Sequence, residues 1–138
     1  MATELDWDEW QPFSKWVDNS HVPKSLGVYQ VRACDEKGVP IAISRSCGVD
    51  ADGLLYVGEG QLNGRLGLLQ YLGQPNSKFH HQFIETFEYY SLNRIGNREL
   101  TEVRWAEVEN CKQVEKELID AYFKKFGDMP PGNLKLGG

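Results

Sequence analysis

The stretch LGVYQVRA at residues 26–33 decides the fold, because it supplies the strand around which the rest of a sheet can be arranged. It is rich in β-branched and aromatic residues that alternate in part with polar ones, a pattern typical of a strand. The stretches LLYVG at 54–58 and LTEVRWAEVE at 100–109 have the same character. The sequence therefore predicts a small sheet of about three strands.

Segments with a helical spacing of apolar residues lie between and after these strands. The clearest covers residues 111–126. A second is predicted from Asn63 or Gly64, either of which can cap a helix, to about Leu72, and a third at 78–88. Helices beside a small sheet indicate an α+β (mixed α/β) fold.

The remaining segments flank or connect these elements within one predicted domain at 1–138. Aromatic residues at roughly helical spacing predict an N-terminal helical segment within 1–20. Residues 34–53 are rich in Gly, Asp and Pro, which predicts a long hairpin connection with a small extra strand at Ile41–Ser44.

Composition argues against several classes of protein. With 138 residues, 41% of them hydrophobic, the chain is long enough to bury a core without disulfides. Cys34, Cys47 and Cys111 are scattered and lack zinc-site spacing, so we expect reduced thiols in the cytoplasm. No apolar run suits a membrane span or a secretory signal. The net charge of −5 argues mildly against strong nonspecific DNA binding, although a local basic face stays open.

One charge lies where the helix predicted at 111–126 should be apolar. On a wheel of about 100° per residue, six residues of this helix form one apolar stripe. They are Cys111, Val114, Leu118, Ile119, Tyr122 and Phe126. Glu115 falls near the middle of the stripe, where an ionised carboxylate is costly unless it pairs with a cation or binds a metal.

The helix predicted at 63–72 shows the same irregularity with the opposite charge. Its apolar face contains Leu62, Leu68, Leu69 and Leu72, and Arg65 lies at the centre of that face. A buried guanidinium needs a carboxylate or a phosphate. Two interpretations stay open: Arg65 and Glu115 form a structural ion pair, or they line one cleft where Glu115 holds a metal and Arg65 a phosphate.

The tripeptides GVY at 27–29 and YVG at 56–58 resemble the pair that names the GIY-YIG nuclease family. Later features follow in the family's order. A Gly-rich turn comes first, then the helix that bears Arg65, the segment EKELI at 115–119 and the segment PPGN at 130–133.

This resemblance implies a three-stranded antiparallel sheet flanked by helices, and a metal-dependent endonuclease. Glu115 would ligate one Mg²⁺ or Mn²⁺ ion, and Arg65 would hold the scissile phosphate. Tyr29 would take a proton from the attacking water or orient it, and Tyr56 would assist in positioning. Because a free Tyr has a pKa near 10, a base role would require nearby positive charge.

The same resemblance implies supporting roles for other residues. Asn133 would orient the phosphate or support its ligands, and Gly58 would border the substrate. Arg45, in the long connection, is expected to contact DNA or to change specificity. His80 would assist proton transfer, and the alternative for it is a partly exposed helix residue.

DNA is the expected substrate, RNA stays open, and a homodimer or a protein partner would help an acidic chain to grip it. Two alternatives belong to other classes. The first is an inactive module of the same fold that binds nucleic acid or a protein. The second is an unrelated interaction protein in which Glu115 and Arg65 are a structural pair.

Overall fold

Alternating side chains along the strands build a four-stranded antiparallel sheet with helices on both faces. The computed structural model describes residues 5–69 and 100–133. In chain order the elements are β1 (Gln11–Pro12), α1 (Phe13–Trp16), β2 (Leu26–Ala33), β3 (Ile43–Arg45), β4 (Gly48–Asp50), β5 (Leu54–Gln61), α2 (Leu62–Leu69), β6 (Thr101–Glu107) and α3 (Cys111–Phe126). Short 3-10 helices lie at Asn19–His21 and Pro131–Asn133.

The strand predicted at 26–33 is β2, and it lies inside the sheet, whose order is β1-β6-β2-β5. On β2, Tyr29 is paired with Trp105 of β6 on one side and with Gly58 of β5 on the other. The three predicted strands are therefore present. The prediction of three strands in all is wrong, because the two-residue β1 adds a fourth beside β6.

The described part of the predicted N-terminal helical segment contains one α-helical turn, Phe13–Trp16. The residues before it run along β6, where the Asp8 N–H donates to the Trp105 carbonyl at 2.8 Å. Pro12 explains the late start, because proline has no N–H to donate and is tolerated only at a helix start. The indole of Trp16 is fully buried, so the short helix still anchors this segment.

Two hydrophobic clusters form on opposite faces of β2, because successive side chains of a strand point to opposite sides. On one face Val31 belongs to a cluster with Trp16 of α1 and Leu66 of α2. On the other face Val28 packs with Val114 of α3. The sheet thus separates α3 from α1 and α2.

The helix predicted at 111–126 is confirmed as α3. Gly127 ends it in the left-handed conformation, with φ of 74°, and its N–H donates to the Phe123 carbonyl. The second predicted helix is α2, which begins at Leu62, and the third, at 78–88, lies outside the described residues. Within the part of the chain described, no helix is long and apolar enough to cross a bilayer.

The predicted connection at 34–53 contains a small extra strand, β3, that overlaps the one predicted at Ile41–Ser44, and β4 pairs with it in a two-stranded hairpin. This hairpin holds the chain that follows α3. Arg45 donates from Nη2 to the Met129 carbonyl at 2.7 Å, and the Cys47 N–H donates to the Phe126 carbonyl at 2.8 Å. The long connection therefore positions the C-terminal tail.

Candidate active site

The glycines of the two tripeptides are explained by close contacts. A Cβ at Gly58 would collide with the hydroxyl of Tyr29 and lie 2.6 Å from its Cε1 atom. A Cβ at Gly27 would collide with the Ala106 carbonyl oxygen and lie 2.7 Å from Cδ1 of Leu62. Gly58 thus leaves room for the phenol of Tyr29 to lie across β5, the outer strand of the sheet.

The two predicted tyrosines lie together. Their ring centroids are 6.0 Å apart and the rings are tilted by 47°. Tyr29 is only 2% exposed, and burial raises its pKa well above the usual value, with a further rise from Tyr56 and a smaller lowering by the Arg65 charge. Burial also raises the pKa of Tyr56, but its hydroxyl interaction with Tyr29 lowers it. Burial therefore favours the protonated hydroxyl on both tyrosines.

Glu115 faces a cleft of about 440 Å³ between α3, β5 and the tail, as its place on the helical wheel predicted. The cleft is lined by Tyr56, Glu115, Lys116, Ile119, Asp120, Met129, Gly132 and Asn133. Burial, followed by repulsion from Glu59, raises the pKa of Glu115 to about 7, while the Arg65 charge lowers it. A carboxyl in this state favours binding of a cation, because a positive charge would relieve both effects.

Arg65 is exposed, so the prediction of a buried guanidinium at the centre of an apolar face is wrong. The face of α2 that is buried contains Leu62 and Leu66 instead. The side chain of Arg65 reaches back over β5, where a Cβ at Gly60 would lie 2.6 Å from its Nε atom. Its charge nevertheless acts on Tyr29, Tyr56 and Glu115.

Arg65 and Glu115 do not form the structural ion pair that the sequence left open. Within the described residues, the ion pairs closer than 4.0 Å are Arg32–Glu102 and Arg45–Asp128. The Arg65 charge influences Glu115 without contact, which leaves both side chains with capacity for a ligand.

Asn133 closes one end of the cleft by pairing with the outer strand. Its Oδ1 accepts from the Val57 N–H at 2.8 Å, and its Nδ2 donates to the Val57 carbonyl at 2.9 Å. Val57 lies between Tyr56 and Gly58, so Asn133 fixes the backbone of the second tripeptide. Both ends of its amide are used on this strand. Its predicted role in orienting a phosphate stays a prediction.

Two other predicted residues do not line this cleft. The side chain of Arg45 is 8% exposed and lies 3.8 Å from the Asp128 carboxylate, so it is committed to the tail rather than available for the expected DNA contact. His80 lies outside the described residues.

The prediction missed Glu59, whose negative charge raises the pKa of both Glu115 and Tyr56. The sequence signal was present, since Glu59 directly follows the second tripeptide. It was missed because Glu59 and Gly60 were interpreted as a turn, whereas β5 continues through them to Gln61.

The donor set suits a hard divalent cation with few protein ligands. Glu115 offers carboxylate oxygens, and the nearby Glu59 charge adds attraction for a cation. No group of three or more His, Cys, Asp or Glu side chains arranged for a metal is found among the residues described. The residues present therefore fit an ion held by one carboxylate and completed by water, as Mg²⁺ commonly is.

Comparison with models of protein families, with curated proteins and with solved structures found no match to this chain. The case for its function therefore rests on the motifs and on the geometry of this cleft.

Proposed function

We propose that the chain is a metal-dependent endonuclease of the GIY-YIG type that hydrolyses phosphodiester bonds in DNA. One observation carries this proposal. Tyr29, Tyr56, Arg65 and Glu115 come from four different elements, and the charges of Arg65 and Glu115 act on both tyrosines. Tyr56 and Glu115 line one cleft beside the outer strand. An interaction module has no need for this combination of two tyrosines, a cation and a carboxyl with a raised pKa.

Arg65 is the residue proposed to bind the scissile phosphate. It is exposed, it lacks a carboxylate within 4.0 Å among the described residues, and its side chain lies over Gly60 of β5. A guanidinium can donate two parallel hydrogen bonds to a phosphate and offset the charge that develops in the transition state.

Glu115 is the residue proposed to hold one Mg²⁺ or Mn²⁺ ion. When bound, such an ion polarises the phosphate and stabilises the leaving oxygen. In the free protein the pKa of Glu115 is about 7, so its carboxylate form predominates only when the pH is above that value. A proton and a cation therefore compete for Glu115.

The tyrosines are proposed to position the attacking water rather than to act as a free base. Burial raises the pKa of Tyr29 far above neutrality, so its hydroxyl carries its proton at neutral pH. A neutral hydroxyl both donates and accepts, and it can orient a water molecule without ionising. Tyr56, which lines the cleft, is placed to share this task.

The proposed setting is the cytoplasm, where Cys34, Cys47 and Cys111 stay as the free thiols found here. DNA is the proposed substrate and RNA the comparison to make. Because the chain carries a net charge of −5, a second copy or a protein partner is proposed to help it grip the strand.

The test is cleavage of supercoiled plasmid with Mg²⁺, Mn²⁺ or EDTA, read as nicked and linear products. Wild type should cut only with metal, and Glu115→Gln should lose activity by about a hundredfold or more, as expected for loss of a metal ligand. Glu117→Gln makes the same change two positions along α3, away from the cleft lining, and should cut normally. Intact plasmid under every condition would favour the inactive binding module instead.

A further inference from the structure

A second cleft lies on the other side of α3 and shares no lining residue with the first. Its volume is about 360 Å³. The charged side chains that line it are Arg32, Asp50, Asp52, Arg104 and Lys125, and Trp10 forms part of the wall. Nothing in the proposed nuclease mechanism uses these residues.

Cation–aromatic contacts organise one wall of this second cleft. The guanidinium carbon of Arg104 lies 4.3 Å from the ring centre of Trp7 and 4.8 Å from that of Trp10. Arg32 contacts Trp10 in the same way at 4.1 Å. Stacking occupies the faces of a guanidinium and leaves its N–H edges for ligands, so the contacts hold Arg104 in a fixed orientation.

Arg104 retains donors that the protein does not use. Its Nε donates to Oε1 of Gln30 at 2.7 Å, but among the described residues no acceptor lies within hydrogen-bonding distance of its two Nη atoms. Arg32, in contrast, is paired with Glu102. Burial and the nearby Arg32 charge lower the pKa of Arg104, so an anion beside it would be stabilised.

Neither carboxylate of the second cleft pairs with Arg104, although the Asp52 charge partly offsets the lowering of its pKa by burial and Arg32. Asp50 is 2% exposed, and its oxygens accept from the N–H groups of Asp52 and Leu54 and from the Tyr122 hydroxyl. Asp52 is exposed and lies beyond ion-pair distance of Arg104. Lys125 of α3 adds a second cation to the lining of the cleft, so the charged side chains there that lack an ion-pair partner within the described residues include two cations.

We infer that the second cleft binds a phosphate group through the Nη edge of Arg104, with Lys125 as a supporting charge. The phosphate could belong to a nucleic-acid strand or to a free nucleotide. The strand version rests on the proposed nuclease function and would supply the local grip that an acidic chain otherwise lacks. The free-nucleotide version does not depend on cleavage.

The experiment measures binding by calorimetry in EDTA, where cleavage cannot interfere, with tryptophan emission as a second readout because Trp7 and Trp10 contact Arg104. The probes are inorganic phosphate, thymidine 5′-monophosphate and a short thymidine oligonucleotide. The variants are Arg104→Gln and Lys125→Gln. Lys112→Gln removes one exposed charge of α3 outside both clefts and serves as the matched control.

Arg104→Gln should weaken binding about tenfold or more, since a charge-assisted hydrogen bond contributes about 1.5–3 kcal/mol. Lys125→Gln should weaken it less, and Lys112→Gln should leave it unchanged. If Arg104→Gln does not fold, as shown by circular dichroism, Lys125→Gln carries the test.

The probes also identify the source of the phosphate. Binding of the oligonucleotide alone assigns the cleft to a strand, and binding of the monophosphate without the oligonucleotide assigns it to a free nucleotide. The inference is overturned if wild type binds none of the probes, or if Arg104→Gln binds them as wild type does. Plasmid cleavage is read separately, so a failure here does not imply a failure of the nuclease proposal.

Discussion

Asp50, which accepts a hydrogen bond from α3, and Glu115, which is part of α3, are carboxyl groups with opposite surroundings. Asp50 accepts hydrogen bonds from two backbone N–H groups and from Tyr122, and it is almost fully buried. Burial and the negative charge of Glu59 disfavour the ionised form of Glu115 and raise its pKa to about 7. A carboxylate with all its partners in place stabilises a fold, whereas one without them is available for a ligand.

The largest effect on stability is expected from Asp50→Ala. The change leaves two backbone donors and the Tyr122 hydroxyl without their acceptor, and hydrogen bonds to a charged group are the costly ones to lose. We expect unfolding free energy to fall by about 3–5 kcal/mol in urea denaturation. Asp52→Ala, on the exposed turn nearby, should change it little. Near-normal stability of Asp50→Ala would mean that Asp50, like Glu115, is not needed to stabilise the fold.

Gly58→Ala should also destabilise, because its new methyl group would overlap the buried phenol of Tyr29. Overpacking of this kind costs about 1–3 kcal/mol. Plasmid cleavage should fall as well, since Tyr29 must move away from Tyr56. Gly64→Ala provides the control, because its Cβ would meet only the side chain of exposed Gln61 and the helix should gain stability. Equal melting temperatures of the two variants would contradict this steric account.

Glu115→Gln should change stability in the opposite direction and only above acidic pH. Burial raises the pKa of Glu115 in the folded protein from 4.5 to about 7, so the folded state binds a proton that the unfolded state releases between these values. Wild type therefore loses stability as pH rises through this window, and the loss is complete above pH 7.

The variant removes this penalty. At alkaline pH it should be more stable than wild type by about 1–2 kcal/mol, allowing for partial exposure, and at acidic pH the two should agree. The measurement is urea denaturation across the pH range, with Glu117→Gln as the control variant. Added Mg²⁺ should stabilise wild type but not Glu115→Gln. Lower stability of the variant at alkaline pH would assign Glu115 a structural role.

The same contrast shows what the sequence could predict. Period-2 and period-3.6 patterns located the three main strands and α3, and the helical wheel identified Glu115, because these signals are local. Arg65 was placed wrongly because a short helix does not reveal which of its leucines meet the sheet, and Leu66 was one of those that do. Arg45 and Asn133 acquire their roles from contacts 84 and 76 residues away, which no local pattern encodes.

A similarly small effect on stability should come from Tyr122→Phe, which deletes one hydroxyl from the apolar stripe that also carries Glu115. The hydroxyl donates to Oδ2 of Asp50 at 2.8 Å, and that oxygen keeps the Leu54 N–H as a second donor. Stability should therefore fall by only about 1–2 kcal/mol. In a double-mutant cycle with Asp50→Ala, the second substitution should add little, because both remove the same contact.

Plasmid cleavage tests whether the Tyr122 hydroxyl also affects the proposed reaction. Tyr122→Phe should cut like wild type, although Tyr122 lies only two turns from Glu115 on one face of α3. Tyr122 lines the second cleft and not the first, so its hydroxyl is not expected to contact the proposed phosphate site. Loss of cutting in Tyr122→Phe without loss of stability would mean that the two clefts act together, since a purely structural hydroxyl cannot change the reaction while leaving the fold intact.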